Sequence, residues 1–128
     1  ASALNLIIAQ RLVRKICDNC KEPVSLNESL IKRLGLNEQQ AKEAVFYHGK
    51  GCSSCGGSGY LGRLPIFEFL PVDNDISERI ISNESESQIR TAMREKGYGG
   101  LLESGVNKIL QGLTTADEVL SIAYTGKR

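Results

Sequence analysis

A chain of 128 residues that is 41% hydrophobic and 24% charged has the size and composition of one folded domain, which excludes disordered and fibrous classes. Sixteen basic and fifteen acidic side chains leave a net charge of +1, which gives no general attraction to nucleic acid or to an anionic membrane. The apolar runs are far shorter than the roughly eighteen residues that cross a bilayer, and no secretory signal pattern is present, so we expect a cytoplasmic protein.

The first segment, residues 1–16, is predicted to be an amphipathic helix with a basic face. Apolar residues recur at helical spacing from Leu4 to Ile16, and the opposite face carries Arg11, Arg14 and Lys15. The chain begins inside this pattern and without Met. We therefore expect it to be a piece of a longer protein, with the helix packed against a part that is missing here.

The region between the two cysteine pairs is predicted to hold a small helical insert. After a turn at Pro23, Asn27 can cap a short helix that Gly35 closes. Asn37 with Gln40 forms a capping box for a second short helix. The run VFYHGKGC then predicts a short extended element that leads to the second cysteine pair.

Beyond the glycine-rich segment, the sequence predicts one strand and then helices. RLPIFEFLPV predicts an edge strand over residues 64–72, in which Glu68 is expected to face water or to pair with an arginine. Residues 73–128 are predicted to form a small helical bundle, whose third helix buries Leu101, Leu102, Val106, Ile109 and Leu110. The helix boundaries are marked by Asp73 or Asn74, Ser85 with Gln88, Gly97, Gly112, and Thr115 with Glu118.

All four cysteines fall into two C-x-x-C pairs, Cys17/Cys20 and Cys52/Cys55. Two such pairs are the usual ligands of a structural tetrahedral zinc site, because each turn directs two sulfurs at one point. Disulfides are disfavoured in the cytoplasm, which removes the simplest competing interpretation. The sequence therefore predicts a tetracysteine zinc subdomain over residues 17–63, within an α+β fold that is mostly helical. The glycines expected to bring backbone N–H groups to the sulfurs are Gly51, Gly56, Gly57 and Gly59.

Other chemistry fits the cysteines less well. A catalytic zinc ion needs an open ligand position, and a thioredoxin-like dithiol needs one pair at the start of a helix that follows a strand. His48 could replace one thiolate, but we expect it to face solvent alone. Neither Gly-Lys pair of the chain has the surroundings of a Walker A phosphate loop. CSSCGGSG matches the repeat of the zinc domain in DnaJ-type chaperones, although CDNCKEPV lacks its glycines.

Three stretches occur in order along the chain: IIAQRLVRKICDNC, GCSSCGGSGYLGRLPIFEFLPV and ILQGLTTADEVL. In this combination the sequence resembles the C-terminal part of the type II secretion and type IV pilus assembly ATPases, the GspE/PilB family. The resemblance covers almost the whole chain. Relatives that retract pili commonly lack the cysteines, so the two pairs point to the secretion or pilus-extension branch.

The resemblance implies that the parent protein is a cytoplasmic hexameric ATPase, peripheral at the inner membrane, that uses ATP and Mg²⁺. It also implies that residues 1–16 complete a RecA-like core, that residues 64–72 return to this core, and that residues 73–128 form a C-terminal helical domain. The family's Walker motifs lie upstream of the AQRL segment and are absent from this sequence. The chain alone is therefore expected to be inactive.

The partners implied by the resemblance are the rest of the parent protein, neighbouring subunits of a hexamer and components of the inner-membrane platform. Arg11, Arg14 and Arg63 would then lie near a nucleotide or a neighbouring subunit, where a guanidinium can stabilise phosphate charge. No nucleic acid is expected as a partner.

The leading interpretation is a non-catalytic, zinc-stabilised segment of an ATPase that powers protein export or pilus extension. The alternative is an independent zinc-ribbon adaptor for nucleic acid or protein, which the basic residues near the cysteines would support. A thiol oxidoreductase is the third possibility.

Overall fold

The computed structural model describes residues 5–96 and 100–125, and this part of the chain combines two small antiparallel sheets with six helices. The strands are β1 (Asn5–Ile16), β2 (Lys21–Val24), β3 (Phe46–Gly49) and β4 (Tyr60–Val72). The helices are α1 (Glu28–Arg33), α2 (Glu38–Glu43), α3 (Asn74–Ile81), α4 (Glu86–Glu95), α5 (Leu101–Leu110) and α6 (Ala116–Thr125). The α+β class predicted from the sequence is confirmed.

The segment predicted as the first helix is a strand. β1 pairs antiparallel with β4 in a long ribbon, and a bulge after Arg14 shifts the register so that Ile16 lies opposite Tyr60. Residues 1–4 of the predicted helix lie outside the described residues. The strand predicted over residues 64–72 is confirmed, and it begins earlier, at Tyr60.

The two faces of the β1–β4 ribbon differ in burial. One face buries Val13 and Ile66, which are 1% and 0% exposed. The other face leaves Ile8, Leu12 and Phe69 about half exposed. Successive side chains of a strand point to opposite faces. The arginines at positions 11 and 14 therefore lie on opposite faces, and the predicted common basic face is wrong.

The insert between the cysteine pairs is a β2–β3 hairpin that carries α1 and α2 in its long connection. β2 pairs antiparallel with β3, with Lys21 opposite Gly49 and Val24 opposite Phe46. Pro23, predicted to lie in a turn, is therefore part of a strand. Pairing of the strands brings the two ends of the insert together next to both cysteine pairs.

The two helices of the insert begin as their cap signals predict. The Asn27 side chain accepts a hydrogen bond from the Leu30 N–H, at 2.8 Å. Asn37 and Gln40 form a complete capping box, in which each side chain bonds the other residue's backbone N–H. Gly35 follows α1 with a φ of +78°, as expected for a closing glycine.

α3 and α4 form a helical pair around a small core of Ile76, Ala92 and Met93. The ammonium of Lys96 lies 3.1 Å from a carboxylate oxygen of Asp73, and so connects the end of α4 to the start of α3.

The predicted starts of α3 and α4 are also confirmed. Asp73 caps α3, and Ser85 with Gln88 forms the capping box of α4. Gly97, the predicted end of α4, lies outside the described residues.

The core of α5 and α6 is shared with the insert. This core combines Leu34 and Phe46 of the insert with Val106, Ile109, Ala116, Val119 and Leu120 of the two helices. Leu110, which was predicted to be buried, is 40% exposed. α5 ends before Gly112, whose φ of +77° fits its predicted role.

Glu68 differs from its expected environment. Its side chain is only 6% exposed, so the expectation that it faces water is wrong. It lies on the same ribbon face as Ile66, two positions away on β4. Among the described residues, no helix combines the length and apolar character needed to cross a membrane.

Candidate metal centre

The four cysteine sulfurs predicted as metal ligands lie in one cluster. All of their Sγ atoms are within 4.8 Å of one another. Cys17 and Cys52 approach to 3.8 Å, Cys20 and Cys55 to 3.9 Å, and Cys52 and Cys55 to 3.7 Å. A disulfide has its sulfurs about 2.05 Å apart, so these cysteines are thiols that face a common centre.

The sulfur spacing fits a tetrahedral metal ion. A zinc ion bound by four thiolates at about 2.3 Å requires sulfurs about 3.8 Å apart. The three separations above, 3.7 to 3.9 Å, agree with that geometry. The donor set also fits, because thiolate sulfur selects zinc over the hard cations that oxygen ligands bind.

Two short turns, here called the knuckles, present these sulfurs. The first knuckle, Cys17–Cys20, joins β1 to β2, and the second, Cys52–Cys55, lies between β3 and β4. Backbone hydrogen bonds connect them: the Cys17 N–H donates to the Gly59 carbonyl at 2.9 Å, and the Lys50 N–H donates to the Cys20 carbonyl at 3.2 Å. The knuckles are thus held face to face by the backbone as well as by the sulfur cluster.

Backbone and side-chain N–H groups surround the sulfurs. The Gly59 N–H donates to the Cys55 sulfur at 3.2 Å, and the Gly51 N–H donates to the Cys20 sulfur at 3.4 Å. The Asn19 side chain donates to the Cys52 sulfur at 3.2 Å. Such donors spread the negative charge of metal-bound thiolates and fix the direction of each sulfur. Asn19 was not predicted, and its place between the cysteines of the first pair is the signal that could have identified it.

The glycines near the second knuckle serve different purposes. Gly51 and Gly59 donate to sulfurs as predicted, and both have positive φ, at +100° and +83°. Gly56 and Gly57 instead donate to the carbonyls of Ser53 and Cys52, and so shape the turn without contacting a sulfur.

Gly49 was not predicted as part of the site. A Cβ atom at this position would collide with the backbone of Gly59, so only a glycine allows β3 to approach the start of β4.

The pKa of the Cys20 thiol is shifted in the opposite direction from the pKa values of the two thiols of the second knuckle. Burial raises the pKa of the Cys20 thiol to about 12. The Cys52 N–H, with help from the Gly59 N–H, lowers the pKa of Cys55 to about 6. The hydrogen bond from Asn19 lowers the pKa of Cys52. Because thiolate is the form that binds metal, Cys52 and Cys55 are better prepared as ligands than Cys20.

His48 lies outside the sulfur cluster. Its Nε2 atom is 3.0 Å from a carboxylate oxygen of Glu22, across the β2–β3 pair. The expectation that it stands alone in solvent is therefore wrong, because it has a partner and its side chain is 41% exposed.

The three arginines singled out in the sequence lie in different places. Arg14 forms an ion pair with Glu118 at 2.9 Å, and its guanidinium stacks 4.2 Å from the ring centroid of Tyr60. Arg63 is directly opposite Arg14 in the ribbon and is exposed. Arg11 lies on the opposite face of the ribbon from Arg14, and its guanidinium donates to the carbonyl of the neighbouring Gln10. Sequence reasoning missed the partner of Arg14, because Glu118 is 104 positions away.

Comparison with known proteins identifies relatives of the chain. Residues 1–121 match the family model described as type II/IV secretion system protein. The chain is 43% identical over 121 residues to the type IV pilus assembly ATPase PilB of Thermus thermophilus, a match that covers 94% of the chain and 14% of that protein.

Of two further relatives, one is a pilus assembly ATPase and the other is a type II secretion protein. PilB of Pseudomonas aeruginosa is 36% identical over 120 residues, which is 93% of the chain and 21% of that protein. The type II secretion system protein E of Dickeya dadantii is 35% identical over 116 residues, which is 91% of the chain and 22% of that protein. The chain thus spans less than a quarter of the length of each of these three relatives. Because the family match includes both cysteine pairs and nearly the whole chain, the chain belongs to the type II/IV secretion system protein family.

Proposed function

We propose that the four cysteines hold a structural zinc ion, and that the chain is the non-catalytic C-terminal segment of an ATPase that powers protein export or pilus extension. The observation that carries this proposal is the cluster of four sulfurs, all within 4.8 Å of one another and with three separations of 3.7 to 3.9 Å that suit tetrahedral zinc. The bound ion would supply a cross-link between the two knuckles. Four thiolate ligands leave no open position for a water molecule, so the role is structural.

The ribbon is proposed to join this segment to the rest of the parent protein. Its outer face exposes Ile8, Leu12 and Phe69, at 54%, 47% and 45%. An apolar face of this kind on paired strands suits burial against another layer of structure. This supports the proposal that residues 1–16 and 64–72 complete a RecA-like core, although residues 5–16 do so as a strand and not as the expected helix.

Arg63 is the best candidate for a role near a nucleotide or a neighbouring subunit. It is exposed on the outer face of the ribbon, beside Arg14. Arg14 is already engaged by Glu118 and Tyr60, and Arg11 lies on the opposite face. ATP and Mg²⁺ would be bound by the parent protein, since this chain has no Walker A loop.

The proposed setting is a cytoplasmic hexamer, peripheral at the inner membrane, whose partners include the platform of the machine. The relatives named above are ATPases of pilus assembly and a protein of type II secretion. The alternative role as a nucleic-acid adaptor gains little support, because Arg11 and Arg14 do not share a face and Arg14 is paired with a carboxylate.

The test is the metal content of the intact protein purified without chelator, compared with two variants. We expect about one zinc ion per chain in the wild type, and loss of this zinc in Cys17→Ser, because three thiolates no longer complete the tetrahedron. His48→Ala is the matched control, since His48 lies outside the cluster but near it, and this variant should keep its zinc.

A wild-type protein that folds without metal and whose fold does not change when zinc is added would contradict the structural role. Loss of zinc in His48→Ala would show that an imidazole, and not four thiolates, completes the site.

A further inference from the structure

The outer edge of β1 is covered, close to the first knuckle, by the segment that leads into α6. This segment, Leu113–Glu118, is here called the latch. The Ile16 N–H donates to the Leu113 carbonyl at 2.9 Å, and the Thr114 hydroxyl donates to the Arg14 carbonyl at 2.8 Å. The Arg14 N–H donates to a Glu118 carboxylate oxygen at 2.7 Å. Three backbone groups of β1 just before Cys17, the N–H and C=O of Arg14 and the N–H of Ile16, are therefore bonded to the latch.

The contact between β1 and the latch is buried at Thr114 and Ile16, whereas Arg14 is exposed. Thr114 and Ile16 are each 1% exposed, and Cys17 is 0% exposed. Water cannot replace a partner lost at these two buried positions, so a hydrogen bond missing there would leave an unsatisfied backbone group. The strand end that carries the first ligand is thus positioned by residues roughly a hundred positions further along the chain.

The latch also contacts the start of β4, which follows the second knuckle. The other Glu118 oxygen bonds the Arg14 guanidinium at 2.9 Å, and this guanidinium stacks on Tyr60. The Tyr60 hydroxyl is in turn 2.8 Å from the Thr115 hydroxyl. Tyr60 directly follows Gly59, whose N–H donates to the Cys55 sulfur. The latch therefore contacts the residue before the Cys17 ligand, and also the residue after Gly59, whose N–H bonds the Cys55 sulfur.

We propose that Thr114 and Glu118 are positioning residues of the metal centre, which hold the ends of β1 and β4 at the separation that the four sulfurs need. The proposal rests on the zinc site proposed above. Burial favours the protonated carboxyl, but the hydrogen bonds and charge of Arg14 outweigh this effect and lower the pKa of Glu118, in accord with a fixed carboxylate. Motion of α6 is then coupled to the retention of the metal.

The test is the rate at which the intact zinc-loaded protein gives up zinc to an excess of a coloured chelator under native conditions. We expect about tenfold faster release from Thr114→Val and from Glu118→Gln, because each loses a buried or charged hydrogen bond at the strand end. Thr114→Ser keeps the hydroxyl and should release zinc at close to the wild-type rate.

Lys96→Met is the matched control for a general loss of stability. It removes ion pairs between α3 and α4, away from the latch, and should lower the melting temperature without changing the release rate. Should Thr114→Val fail to fold, Glu118→Gln still decides the question, because its amide oxygen can accept from the Arg14 N–H, whereas its NH2 group cannot accept from the Arg14 guanidinium.

Wild-type release rates in both Thr114→Val and Glu118→Gln would overturn the proposal. Equally fast release from Thr114→Ser and Thr114→Val would overturn it too, because the hydroxyl would then be irrelevant. A wild-type protein that binds no zinc would instead overturn the proposed function, so the two failures are distinguishable.

Discussion

The backbone of Gly49, at the end of β3, packs directly against the backbone of Gly59, which comes just before β4. A Cβ atom on either one would collide with the backbone of the other. Gly59 also has a φ of +83°, which L side chains rarely adopt, and it donates to the Cys55 sulfur. Gly59 is therefore needed for close approach, for its backbone conformation and for the sulfur contact.

Gly59→Ala is expected to destabilise the zinc-loaded protein by about 3 kcal/mol, from backbone strain and from the collision with Gly49. Gly57→Ala is the control, because Gly57 has a similar φ of +82° but open space around its Cβ position, and should cost about 1 kcal/mol. Urea unfolding of the two variants measures the difference. Equal losses would mean that the close approach of the two strands does not matter.

Single residues were predicted well where their contacts are local. The C-x-x-C spacing identified all four clustered sulfurs, and Gly51 and Gly59 donate to them as expected. Glu118 shows that contacts between residues far apart in the sequence were not predicted. Its N–H bonds the Thr115 hydroxyl as a capping box requires, but its carboxylate extends to Arg14 and so joins β1 to α6. A short pattern along the chain carries no information about such a distant partner.

At the scale of elements, α5 and α6 meet at a glycine. A Cβ atom at Gly105 would collide with the side chain of Val119. Gly105 and Val119 are both buried, and Ile109 lies one helical turn after Gly105 in the same core. The absence of a side chain at Gly105 therefore lets the two helices pack closely.

Gly105→Ala is expected to destabilise the protein by about 2 kcal/mol, although alanine is the better helix former by about 1 kcal/mol. The collision with Val119 outweighs the gain in helix propensity. A double-mutant cycle with Val119→Ala, measured by thermal unfolding, tests the cause: the alanine at position 105 should cost far less when position 119 is small. An additive pair of effects would rule out the contact between these two side chains as the cause.

Residues 5–16 were predicted as a helix but form β1, and the reason lies in how elements pair with each other. Residues such as Ile8, Val13 and Ile16 can satisfy a helical period, yet their β-branched side chains favour an extended chain. The deciding factor is β4, which satisfies the backbone groups of β1 by antiparallel pairing. By contrast, α1 and α2 were predicted correctly, because Asn27 and Asn37 cap them within three residues.

In the molecule as a whole, residues 5–96 and 100–125 contain two separate apolar clusters. The larger one joins the insert to α5 and α6, through Phe46 and Ile109 among others. The smaller one, around Ile76, holds α3 to α4. The sequence predicted the helices, but it assigned the insert and the last two helices to separate units on either side of residues 64–72. Nothing local in the sequence shows that they share a core.

Ile109→Ala should destabilise the protein by about 3 kcal/mol and reduce amide protection in both α1 and α6, because the cavity opens in their common core. Ile76→Ala is the matched control and should reduce protection mainly in α3 and α4. Hydrogen exchange of the zinc-loaded protein measures both. If Ile109→Ala leaves α1 fully protected, the insert and the C-terminal helices are independent.

The β1–β4 ribbon also has a mechanical consequence. A strand of twelve residues is about 40 Å long, with exposed Ile8 near one end and the sulfur cluster just beyond the other. Since the two strands are paired from Asn5 to Ile16, they turn together as a lever arm. A rotation of about ten degrees about Ile8 would move the sulfur end by roughly 5 Å, because the nine residues from Ile8 to Cys17 span about 30 Å. A small rearrangement of whatever covers the apolar face would thus become a large displacement of the metal centre and of α6.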